Sequence, residues 1–177
     1  MTAGSLPATL DALRFARQGR LVSGQVALAD LDRLGGLLVE RSGHAGVELE
    51  FSRDRGGRVI VSGAVTATVT LVCQRCLEHM SLDLAPQVRA AVIATEGEAG
   101  ALPDDLDPLV CPEGEVRLFE LVQDELILAL PVIARHENDP HCLPLTPDQP
   151  GGDGARRDNP FAVLSSLKSG DGENDSQ

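Results

Sequence analysis

Residues 59–76 read Val59-Ile60-Val61-Ser62-Gly63-Ala64-Val65-Thr66-Ala67-Thr68-Val69-Thr70-Leu71-Val72-Cys73-Gln74-Arg75-Cys76. Val59, Val61, Val65, Val69 and Leu71 fall on one face of an extended chain, and Thr66, Thr68 and Thr70 on the other. A period of two in β-branched residues predicts a long strand with one buried face, ending at a Cys-x-x-Cys pair. Strand signals flank it on both sides. Val47, Leu49 and Phe51 alternate with polar residues and lead into the turn Asp54-Arg55-Gly56-Gly57. After the cysteines, Leu82, Leu84, Val88 and Val92 alternate again as a return strand. The centre of the chain is therefore predicted to be an antiparallel β-meander.

Helical spacing brackets the meander. Leu28, Leu31, Leu34, Leu37 and Leu38 suit a helix over Ala27 to Arg41, which Gly35 and Gly36 bend or split. Leu118, Leu121, Val122, Glu125, Leu126 and Ala129 suit an amphipathic helix stopped by Pro131. Between them, Glu96 to Glu115 holds seven acidic residues, no basic ones and three prolines. It reads as a solvated loop with a short strand near Leu109 to Cys111. The fold class is α+β: an antiparallel meander or hairpin sheet packed with two or so helices, forming one domain over residues 1–145. Residues 146–177 are rich in Gly, Pro, Ser and Asp and are predicted to be a disordered acidic tail. One apolar segment interrupts that tail at 159–168, where Asn159 and Pro160 suit a helix start.

Composition narrows the functional classes. The 177 residues include no Trp or Tyr, so few rings are present to stack bases or cage a cofactor. The net charge of −12 disfavours long-range attraction to nucleic acid, whose affinity for proteins rests on cations that neutralise phosphates. RNA contact would need a local basic patch or a protein intermediary. Met1 to Leu10 shows no secretory pattern, and the longest apolar run, Leu126 to Ala134, is nine residues broken by Pro131. The expected compartment is the cytoplasm, with no membrane partner. Four cysteines in that setting are expected to be free thiols or metal ligands.

Cys73 and Cys76 have the spacing that aims two thiolates at one tetrahedral ion, and His136, His141 and Cys142 offer further N and S ligands. Cys111 and His79 are additional donors, and zinc is the cofactor such a set would take. The alternative is a hairpin end with buried, reduced thiols that pack as small hydrophobes. Thioredoxin-type redox chemistry is disfavoured because the pair lies between two strands, without a helix N-terminus to lower a thiol pKa. No phosphate-binding loop, nucleophile elbow or His-Glu-x-x-His is present, so no catalytic residues are assigned and the chain is expected not to be an enzyme. Arg53, Arg55 and Arg58 are candidate phosphate contacts, offset by Asp54; Arg14, Arg17 and Arg20 form a second loose cluster. Phe161, Leu164 and Leu167 would share a face of the tail segment and are candidate partner-binding residues.

Three segments in order resemble the YceD family of large ribosomal RNA subunit accumulation proteins. They are Val69 to Cys76, Asp124 to Val132 followed by His136 and Cys142, and Asn159 to Lys168. The resemblance implies a bacterial ribosome biogenesis factor supporting synthesis, processing or stability of the large-subunit ribosomal RNA. Cys111 lies outside the family pattern, so the metal set that the resemblance favours is Cys73, Cys76 and Cys142 with His136 or His141. The acidity suggests action through basic large-subunit components or assembly factors. The alternatives are a direct RNA-binding module and a small zinc-binding structural or interaction protein.

Overall fold

A computed structural model of the chain describes residues 6–137 together with Cys142. The chain divides into a unit over Met1–Pro144, which contains all of these, and a second over Leu145–Gln177. Phe161, Leu164 and Leu167 lie outside the described residues.

The long strand forms as expected, over Val59–Val72 (β4). The elements before it are Thr9–Asp11 (β1), Ala12–Arg17 (α1), Arg20–Ala27 (β2), Asp32–Gly35 (α2) and His44–Arg53 (β3). Those after it are His79–Leu84 (β5), Gln87–Ile93 (β6), Asp107–Val110 (β7), Glu115–Arg117 (β8) and Leu118–Ala129 (α3). The main sheet runs β2-β3-β4-β6-β7, with β5 also paired to β4. All its pairings are antiparallel except β6 with β7. β1 and β8 make a separate two-stranded ribbon.

β4 is long because it serves two partners in turn. Ala64 to Val59 pairs with β6, and Ala67 to Val72 pairs with β5. The return strand of the sequence reading is thus two strands, broken at Ala85-Pro86, where proline has no N–H for the ladder. Gly63 lies at the pivot with φ of 151°, and a Cβ there would run into the carbonyl oxygen of Glu48 on β3. Only glycine permits that approach.

The valine face of β4 packs as its alternation requires. Val61, Val65 and Val69 join Val47, Leu49 and Phe51 of β3 in one core with Leu118, Val122 and Leu126 of α3. Cys73 continues the same alternation and is fully buried. A smaller cluster of Ile60, Ala91 and Leu106 covers the other face.

The helix expected over 27–41 is corrected. Ala27 closes β2, Leu28–Asp30 is a 3₁₀ turn, and α2 is a single turn ending at Gly35. Leu28, Leu31 and Leu34 are nonetheless buried, because successive tight turns also place residues three apart on one side. Gln123 of α3 fixes this segment: its side-chain oxygen accepts from the backbone N–H of Arg33 at 2.7 Å and of Leu34 at 3.3 Å. The acidic stretch 96–115 is more ordered than a plain loop. It holds a 3₁₀ segment at Glu96–Ala101, capped reciprocally by Thr95 and Glu98, as well as β7 and β8.

Candidate metal centre

The β4–β5 connection is built to aim sulfur atoms. The N–H of Cys73 donates to the carbonyl of Glu78 at 2.9 Å, and the N–H of Leu77 donates to the carbonyl of Cys73 at 2.9 Å. Closing so tight a loop puts Leu77 at φ of 65°, a left-handed backbone that non-glycine residues rarely adopt. The backbone N–H of Arg75 then points at Cys73 Sγ, 3.5 Å away. Gln-Arg is bulkier than the residues expected at such a turn; Gln74 folds back to donate to the carbonyl of Val72, and Arg75 reaches across to the segment carrying His136 and Cys142.

The segment after α3 returns to this hairpin. The N–H of Gln74 donates to the carbonyl of Ala134 at 2.8 Å, and Arg75 Nη2 donates to the carbonyl of His136 at 3.0 Å. Arg75 Nε also donates to Cys142 Sγ at 3.0 Å. The ligand atoms of Cys73, Cys76, His136 and Cys142 all lie within 4.8 Å of one another. Cys73 Sγ and Cys142 Sγ are 3.5 Å apart, as are Cys76 Sγ and His136 Nδ1. In a zinc tetrahedron with Zn–S near 2.3 Å and Zn–N near 2.0 Å, the expected separations are about 3.8 Å for two sulfurs and about 3.5 Å for sulfur and nitrogen. All four cysteines of the chain are free thiols. The residues therefore fit zinc. Cys111 and His79 are not part of the group, and His141 lies outside the described residues.

Electrostatics favour the same reading. Burial opposes ionisation of Cys73, but the N–H groups of Cys76 and Arg75 outweigh it and bring the thiol down to about 5. Burial likewise opposes ionisation of Cys142, which Arg75 and His136 hold below its ordinary value. Cys76 accepts from the backbone of Glu78, but burial and its sulfur neighbours push it up to about 11. Cys73 is thus favoured as a thiolate and Cys142 is shifted in the same direction, with the Arg75 guanidinium beside it as counter-charge. Among the cysteines, Arg75 stands in the sequence beside only Cys73 and Cys76; its place on Cys142 has no local signal, since 67 residues separate the two.

The other candidates are not gathered here. Arg58 is paired with Asp54 at 2.7 Å and Arg53 donates to the carbonyl of Gly57, so the β3–β4 turn uses two of its three arginines internally. Among the described residues no helix is long and apolar enough to cross a membrane.

A small α+β domain with a Cys₃His cluster that could hold a metal ion at its hairpin end is the class this geometry defines. The family model described as large ribosomal RNA subunit accumulation protein YceD matches residues 61–168, which include all four residues of the cluster. The chain is also 35% identical over 168 residues to the large ribosomal RNA subunit accumulation protein YceD of Haemophilus influenzae, covering 92% of this chain and 96% of that protein. The chain belongs to the YceD family. No solved structure matches it.

Proposed function

We propose that this chain is a non-enzymatic ribosome biogenesis factor of the bacterial cytoplasm, supporting the synthesis, processing or stability of the large-subunit ribosomal RNA. The observation that carries this is its similarity along nearly its whole length to a protein named for large ribosomal RNA subunit accumulation. The Cys₃His centre serves structure rather than reaction. Four protein ligands complete a zinc tetrahedron and leave no open position for water or substrate. Bound zinc would supply a tie between the hairpin end and the segment carrying His136 and Cys142.

Action through protein partners fits the surface. A chain of net charge −12 is suited to basic ribosomal proteins. Leu37, Val39, Val132 and Ile133 are exposed around a groove of about 910 Å³, with Val132 wholly open to solvent. Exposed apolar surface of this kind marks protein contact. Phe161, Leu164 and Leu167 would add a tether. The test is sedimentation of ribosomal particles from cells expressing the tagged chain. The intact protein should travel with large-subunit precursors, and Phe161→Ala with Leu164→Ala should release it. A chain that stays at the top of the gradient under all conditions would refute the reading. Purified protein incubated with ribosomal RNA and magnesium should leave the RNA uncut.

A further inference from the structure

The two arginine clusters, which look separate and weak in sequence, meet at one end of the sheet. Arg20 opens β2 and pairs in register with Phe51 near the end of β3; Arg53 closes β3 two residues later. Phe15 of α1 packs edge-on against Phe51, with ring centroids 5.9 Å apart. The guanidinium carbons of Arg14 and Arg20 lie 5.7 Å and 4.9 Å from the centre of the Phe15 ring. Arg17 ends the same helix, and Arg55 and Arg58 sit in the adjoining turn. Six of the fifteen basic residues thus converge on the corner formed by α1, the start of β2 and the β3–β4 turn.

These charges are largely uncompensated. Among the described residues Arg14, Arg17, Arg20, Arg53 and Arg55 have no carboxylate within ion-pair distance. Of the acids beside the corner, Asp54 pairs with Arg58 and Asp11 accepts from the backbone N–H of Arg14, while Glu115 stands opposite Asp11 on the β1–β8 ribbon. Glu50 stands opposite Leu21, on the face of the sheet away from Phe51. The acidic residues Glu96 and Glu98 follow β6, two strands beyond β3, which confines the basic surface to the β2–β3 corner.

Like charges held around one ring oppose folding unless something anionic offsets them. The Phe15 ring holds both guanidinium groups at cation–π distance, and both arginines remain exposed to solvent. Planar, bidentate donors of this kind match phosphate, and a flat guanidinium also accepts a stacked base. The overall charge of −12 does not cancel them, because at physiological salt charges more than about 8 Å away are largely screened.

We propose that this corner is a contact site for the phosphate backbone of single-stranded or looped RNA, built from Arg14, Arg17, Arg20, Arg53 and Arg55. The identification of the RNA as ribosomal rests on the function proposed above; the phosphate chemistry does not. The site would let an acidic protein approach RNA in one orientation, with its acidic surface turned toward basic protein partners.

The test is titration of a fluorescein-labelled polyuridine oligonucleotide with the full chain at several salt concentrations. Intact protein should bind with a steep salt dependence. Combined Arg14→Gln, Arg17→Gln and Arg20→Gln should lower the slope of log affinity against log salt by about 2. Arg89→Gln, which removes an arginine paired with Asp105 on β6, should leave it unchanged. Should the triple variant fail to fold, Arg17→Gln with Arg55→Gln removes two exposed side chains, and should lower the slope by about 1.4. Intact protein that does not bind at low salt, or variants with an unaltered slope, would overturn the proposal. So would corner variants that lose only the capture of ribosomal proteins. If RNA binding fails while cells lacking the protein still lose large-subunit ribosomal RNA, the site is wrong and the proposed function stands. If binding follows the prediction while such cells accumulate the RNA normally, the site stands and the function is wrong.

Discussion

Removing the metal should loosen the fold by an amount that the loop it closes sets. Cys73 and Cys142 are 69 residues apart in sequence, and their sulfurs meet at 3.5 Å. A crosslink closing a loop of that length restricts the unfolded chain by about 4 kcal/mol, between the values for shorter and longer loops. Metal staples act on the unfolded state in the same way. The figure corresponds to free zinc about 1,000-fold above its dissociation constant. For a domain of this size 1 kcal/mol moves the melting temperature by about 3 °C, so the expected drop is about 12 °C. The assay is thermal unfolding of zinc-loaded protein, of the same protein after chelation, and of Cys142→Ser. Chelated wild type and Cys142→Ser should melt together, well below the loaded protein, and adding a chelator to Cys142→Ser should change little. Identical melting of loaded and chelated wild type, with less than about half an ion per chain by elemental analysis, would refute the reasoning.

Three further outcomes follow from particular contacts. Gly63→Ala drives a Cβ into the Glu48 carbonyl at a backbone angle reserved for glycine, and should destabilise the domain by about 3 kcal/mol or more in urea unfolding; a neutral result would mean β4 does not bend there. Gln123→Met keeps the length but leaves the N–H groups of Arg33 and Leu34 without an acceptor, a loss of about 2–3 kcal/mol that Gln123→Glu should partly restore. Arg75 holds Cys142 below its ordinary thiol value, so Arg75→Ala leaves more Cys142 protonated at neutral pH. Zinc binding should then release more protons, by up to about one per chain, in calorimetry performed in two buffers; an unchanged count would remove Arg75 from the centre. The metal-free fold loses stability in the same direction, as pH falls. Cys73 is depressed to about 5 from an ordinary value near 9, so its contribution is complete above 9 and fades as pH falls toward 5.

The parts of the fold that were legible were those with a clean period. The valine and threonine faces of β4, the alternation in β3 and the helix at Leu118–Ala129 all appear where the pattern puts them. β2 escaped because Gly24, Ser23 and Gln25 dilute the alternation of Val22 and Val26, which becomes decisive only when Val47 and Val22 share a core. The segment 27–41 misled because leucines three apart satisfy tight turns as well as a helix, and paired glycines choose the turns. At the metal centre, ligand chemistry offered Cys73, Cys76 and Cys142 with His136 or His141 and left Cys111 and His79 as further donors; the family resemblance set Cys111 aside, and the structure brings together Cys73, Cys76, His136 and Cys142. Arg75's contact with Cys142, and the meeting of Arg14, Arg17 and Arg20 with Arg53 and Arg55, depend on register between distant strands and have no local signal.

The most direct test of the proposed function is the ratio of large-subunit to small-subunit ribosomal RNA in cells deprived of this protein, with and without re-expression. The ratio should fall on removal and recover with the intact chain. Cys73→Ser should restore it only in part, because it opens the tie between the hairpin and the His136 segment. A ratio that does not change when the protein is removed would contradict a role in large-subunit ribosomal RNA accumulation.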